Sequence, residues 1–144
     1  MLSGVIGIVL ALALATGVGL AWRVQGGRLR AIADPHAEHA GRLATLGFVP
    51  GTAATLVQFS SQFCAPCRAT ARVCADVAAA LPGVRHVEVD ASDHLDVTRA
   101  LNIWRTPTVL VLDDAGRIVR RAVGVVAPEE VRDALAPLLS AASR

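Results

Sequence analysis

Two cysteines stand two residues apart in Cys64-Ala65-Pro66-Cys67, at the boundary between an apolar strand-like run and a helix-like run. A Cys-x-x-Cys pair placed there is suited to dithiol–disulfide exchange. One thiolate attacks a partner disulfide, the second resolves the mixed disulfide, and a groove holds the partner chain. Cys64 falls at the helix N-terminus, where unpaired backbone N–H groups and the positive end of the dipole stabilise a thiolate. Cys67 falls one turn inward. Thr106-Pro107 heads a second apolar run, Thr108 to Leu112, about forty residues later. A Cys-x-x-Cys pair also serves metal sites, so a copper or zinc metallochaperone using Cys64 and Cys67 is the alternative reading. Against it, no His lies within the loop. Cys74, the third cysteine, reads as a small buried core residue. Its separation from Cys67 along a helix, about 10 Å, is too long to bridge.

The elements that would position this pair follow from patterning. Thr55 to Phe59 reads as a strand, rich in β-branched and aromatic residues. Ala65 to Leu81 reads as a helix ended by Pro82-Gly83. Val84 to Asp90 alternates and reads as a strand. Asp93 to Leu101 reads as a short helix capped by Ser92 or Asp93. Thr108 to Leu112 and Arg117 to Val123 read as a hairpin around Asp113-Asp114-Ala115-Gly116. Pro128 opens a last helix whose buried face is Val131, Leu135 and Leu138, with Pro137 expected to kink or shorten it. Leu43 to Leu46 is expected to form a short edge strand. Alternating strands and helices predict an α/β domain with parallel pairings, closed by an antiparallel hairpin.

The 144 residues allow one domain and little more. From Leu2 to Trp22 no residue is charged. As a helix this stretch would span roughly 31 Å, about the thickness of a bilayer core. The expected organisation is a transmembrane anchor over 1–22, a juxtamembrane linker over 23–42 and a domain over 43–144. Gly26-Gly27 would break the helix, and 28–41 is mostly helix-forming. A cleaved signal peptide is the competing reading, but no Lys or Arg precedes the apolar run, and the run exceeds a signal core. Arg23, Arg28 and Arg30 follow it closely, which predicts a cytoplasmic domain, with an extracytoplasmic one as the rival. The formal charge of +2, spread over scattered arginines, argues against nucleic acid as a partner. His36 and His39 read as solvated side chains rather than metal ligands.

With these residues in place, the stretch from about 43 to 140 resembles thioredoxin. The resemblance rests on Leu56-Val57-Gln58-Phe59 before the dithiol, Cys64-Ala65-Pro66-Cys67-Arg68, Val87-Glu88-Val89-Asp90, Thr106-Pro107-Thr108 and Val123-Gly124. It implies a thioredoxin-like fold, a central mixed sheet flanked by helices. It also implies a thiol–disulfide oxidoreductase without cofactor or metal, acting on protein dithiols or disulfides together with a thiol reductant or oxidant. By the same resemblance Cys64 is the nucleophile, Cys67 the resolving cysteine, and Thr106-Pro107 a cis peptide. The groove would be lined by Phe63, Ala65, Pro66, Trp104, Arg105, Thr106 and Pro107. Thr106 backbone would pair with an extended partner segment. Trp104 is either an exposed contact surface or a residue packed on a neighbouring loop.

Several positions depart from the family pattern. Phe63 stands for a tryptophan, Ala65 for glycine, Gln58 for a buried acid, His86 for a lysine, and Arg72 for a helix proline; the first full helix of the family is also missing. Gln58 cannot take a proton at neutral pH. Either His86 or Glu88 then serves Cys67 through water, or resolution is slower. Gln58 and His86 are accordingly the candidate proton relay, with a surface histidine at a strand edge as the other reading of His86.

Overall fold

The computed structural model describes residues 2–25, 29–31 and 46–143. Its elements are α1 (Leu2–Gln25), β1 (Arg30–Ala31), β2 (Ala54–Ser60), α2 (Ala65–Ala80), β3 (Val84–Asp90), α3 (Leu95–Ala100), β4 (Thr108–Asp113), β5 (Ile118–Val123) and α4 (Pro128–Ala142). The strands form one mixed sheet in the order β1-β5-β4-β2-β3. β2 and β3 are parallel, joined through α2, with Gln58 opposite Glu88. β4 runs antiparallel to both β2 and β5.

β2 and β4 lie at the centre, and every residue of both is buried. That is why their sequences are nearly continuous apolar runs rather than alternating ones. Each face of the sheet carries its own core. Val57, Phe59, Leu110 and Leu112 pack with Val97 and Leu101 on the α3 side. Leu56, Val109 and Val111 pack with Cys74, Val77 and Leu135 beneath α2 and α4. The period-two alternation of β2 therefore sends Gln58 to the α2 side, beside Leu56.

Four local expectations change. The two residues Arg30–Ala31 pair with β5 as a short strand, because an open sheet edge outweighs helix propensity in so short a segment. Leu46 lies in a turn, and the rest of the expected edge strand, 43–45, is outside the described residues, as are His36 and His39. The residue capping α3 is His94, without a side-chain hydrogen bond; Ser92 is instead held by the Asp90 carboxylate. Pro137 does not end α4, which continues to Ala142.

At the N-terminus, α1 is a helix of 24 residues over Leu2–Gln25; Gly26-Gly27, expected to break it, lie outside the described residues. Among the described residues no helix is long and apolar enough to cross a membrane.

Candidate active site

The dithiol occupies the seam between β2 and α2. Cys64 is the N-cap of α2, in extended backbone conformation, and its Sγ accepts the Cys67 N–H at 3.1 Å. Cys64 also receives the Cys67 and Arg68 N–H groups on its carbonyl, at 3.1 and 3.3 Å. Pro66 lies within the first turn, where its missing N–H leaves nothing unpaired. The two sulfurs are joined, 2.09 Å apart, with Cα atoms separated by 5.2 Å. Cys64 is half-buried and Cys67 only 2% exposed. No acidic residue sits in the first turn of α2. A thiolate at Cys64 would thus meet helix N–H groups and no nearby helix carboxylate.

The Thr106–Pro107 peptide is cis. Pro107 is buried; its carbonyl accepts the Gly124 N–H at 2.8 Å. Gly124 takes φ +99°, a conformation that glycine adopts without strain. The Thr106 hydroxyl points at Cys64 Sγ from 4.0 Å and lies 3.1 Å from the Ser61 hydroxyl. Ala65 and Pro66 are exposed. Phe63 is 98% exposed and Trp104 80%. Trp104 borders a groove of about 260 Å³ with Ala91, Leu95, Ile103, Arg105 and Thr106. The groove-side loop is pinned from beneath: Ile103 N–H bonds to Thr98 carbonyl at 2.8 Å, and the Arg121 guanidinium to that of Leu101.

Under the dithiol runs a polar chain that patterning alone did not reveal. Gln58 Nε2 donates to the Cys67 carbonyl at 2.9 Å and to Ser60 Oγ at 2.8 Å. Ser60 Oγ donates in turn to Glu88 Oε1 at 2.6 Å. The signal lay in the β2 period: Ser60 is two residues after Gln58, hence on the same face. His86 stands opposite Leu56, two pairs further from the dithiol than Glu88. Its Nε2 is buried without a partner, and burial lowers its pKa, partly opposed by Glu88. Among the described residues no hydrogen bond joins His86 to Gln58 or Cys67. Cys74 is free and buried; burial, then the Glu88 charge, pushes its thiol up to about 12. Among the described residues no group of three or more His, Cys, Asp or Glu side chains gathers in a metal-binding arrangement, so the metallochaperone reading finds no support in the geometry.

The family model described as Thioredoxin matches residues 49–137, well over half of the chain. The chain belongs to the thioredoxin family. Thioredoxin from Mycoplasma genitalium is 30% identical over 78 residues, which are 54% of this chain and 76% of that protein. Thioredoxin-2 of Pyricularia oryzae is 36% identical over 74 residues, 51% of this chain. The chain spans only 43% of that fungal relative's length. Among solved structures, chloroplastic thioredoxin z superposes with a TM-score of 0.59 at 23% identity, covering 70% of this chain and 91% of that one. Mitochondrial thioredoxin 3 from Saccharomyces cerevisiae gives 0.57 at 18% identity, covering 67% and 89%. At such identities the likeness concerns the fold.

Proposed function

We propose that this thioredoxin-family chain catalyses dithiol–disulfide exchange with protein partners while tethered to a membrane by α1. The observation that carries the reading is the asymmetry of the pair: Cys64 is half-buried at the N-cap of α2, and Cys67 is buried behind it. In the dithiol form, Cys64 thiolate attacks a partner disulfide, forming one Cys64–partner S–S bond and releasing one partner thiolate. Cys67, deprotonated, then attacks Cys64 Sγ; the intramolecular disulfide forms and the second partner thiol leaves. Two electrons pass to the partner, and a thiol reductant restores the dithiol. Run backwards, the same steps oxidise a partner. Phe63, Trp104 and the backbone at Thr106 offer an extended partner an apolar wall and a strand edge.

Tethering is supported by the uncharged run Leu2–Trp22, by its helical conformation, and by exposed apolar side chains such as Leu14 and Leu20 with no core to bury them. Arg23, Arg28 and Arg30 just after it favour a cytoplasmic domain. Trapping partners with Cys67→Ser in intact membranes tests the whole reading. The expected result is mixed disulfides through Cys64 to cytoplasmic proteins, in the membrane fraction after alkaline extraction. Extracytoplasmic partners would reverse the orientation, release by alkali would remove the tether, and no thiol-sensitive adduct would remove the activity.

A further inference from the structure

Two buried oxygen atoms beneath the dithiol, Gln58 Oε1 and Thr70 Oγ1, have no hydrogen-bond partner. Both residues are 0% exposed, a costly state for polar atoms. Turning the Gln58 side chain does not satisfy its oxygen. The Gln58 amide is locked, because its nitrogen donates to both Ser60 Oγ and the Cys67 carbonyl. Ser60 gives its own single proton to Glu88, so toward Gln58 it acts only as an acceptor. Flipping the amide would set its one oxygen against two acceptors, Ser60 Oγ and the Cys67 carbonyl. Thr70 follows Cys67 by three residues in α2. Its side chain therefore shares the face of Cys67 and leans back over the turn that holds it.

Cys67, whose carbonyl takes the Gln58 amide and which lies one helical turn before Thr70, changes its hydrogen-bonding capacity during the reaction. In the disulfide its sulfur carries no proton. Reduction breaks the S–S bond, adds two electrons from a thiol reductant, and leaves an S–H on Cys67 that is both donor and acceptor.

We propose that Gln58 Oε1 and Thr70 Oγ1 are the seat of the reduced Cys67 sulfur: its S–H donates to Gln58, and the Thr70 hydroxyl donates to it. This deepens the redox reading and rests on it. In the disulfide form the Cys67 sulfur has no proton for Gln58 Oε1 and accepts nothing from the Thr70 hydroxyl; the dithiol form satisfies both atoms, so the seat favours the dithiol. Ser60 and Glu88 are positioning residues, holding the amide the right way round.

The S–H stretching band of the full-length reduced protein, followed by infrared spectroscopy and assigned to Cys67 by its loss in Cys67→Ser, tests the seat. The band is expected below that of the unfolded chain, and to move back up in Gln58→Leu and Thr70→Val. Each variant should also shift the thiol–disulfide equilibrium against glutathione about fivefold toward the disulfide, the size of one net hydrogen bond. Thr70→Ser should keep the wild-type value. If Gln58→Leu fails to fold, the near-isosteric Thr70→Val carries the test alone. An unshifted band with equilibria within about twofold of wild type overturns the seat while leaving the redox reading intact. A wild-type pair that does not interconvert with glutathione overturns both.

Discussion

The side-chain amide of Gln58 lies 2.9 Å from the backbone carbonyl of Cys67, so the centre of the sheet grips the first turn of the active helix by a buried hydrogen bond. In a site where one sulfur must meet another repeatedly, this contact fixes the backbone that carries the inner one. The amide is fixed in turn by Ser60.

Replacing Ser60 by alanine is expected to cost about 1–3 kcal/mol, because one buried Gln58 N–H loses its acceptor. A fall in the urea midpoint at unchanged m-value checks this. A cost below about 0.5 kcal/mol, the usual scale for a surface change, would mean that the amide is held without the hydroxyl.

Trp104→Ala addresses the groove. The ring is 80% exposed, so stability should change by less than about 0.5 kcal/mol. If the ring binds partners, KM for a protein disulfide such as insulin should rise several-fold at unchanged kcat, and turnover of a small disulfide should not change. A stability loss above about 1 kcal/mol would instead place the ring in structural packing.

Gly116 turns the β4–β5 hairpin at φ +78°. A Cβ there would stand 2.9 Å from Phe48 Cε1, and Phe48 belongs to the core on the α3 side. Gly116→Ala should cost about 1–3 kcal/mol from the left-handed backbone alone, with further loss from displacing the ring. Thermal unfolding reads it; a melting point equal to wild type would mean that the hairpin relaxes freely.

His86 gives a pH dependence with a defined sign. Burial lowers its folded pKa below the ordinary value of 6.5, against a partly offsetting Glu88 charge. The unfolded chain therefore binds a proton at a pH where the folded chain does not. The contribution is neutral above that value, and stability falls as pH drops through 6.5 toward the folded pKa. His86→Gln should flatten this part of the stability profile. An unchanged slope between about pH 6.5 and 5, the window set by an ordinary histidine, would assign it to other groups.

Much of the domain was legible because local and global preferences agree. β2, β3, β4 and α2 begin and end within a residue or two of where composition puts them, and Pro82-Gly83 and Asp113 to Gly116 are strong punctuation. The failures share a cause. The strand at Arg30–Ala31 exists because β5 offers an unpaired edge, and no local feature of Arg-Ala encodes that. Pro137 was expected to kink or shorten α4, and the helix is not shortened but continues to Ala142, because its other residues still bury a face against the sheet.

The site divides along the same line. Spacing alone places Cys64 at a helix mouth and Cys67 one turn inside, since both positions are set by contacts within a few residues. The resemblance extended this to the Thr106–Pro107 peptide, which is cis. Which polar groups attend Cys67 was decided only in three dimensions. His86 and Glu88 are both on β3, but the parallel register puts Glu88 opposite Gln58 and His86 opposite Leu56. The Ser60 bond to Glu88 joins residues 28 positions apart, and the seam under Cys67 draws on β2, β3 and α2 together. A chain states its own periodicities, but strand register depends on how separate segments bury their apolar faces against one another, and that is settled only when the sheet closes under the helix.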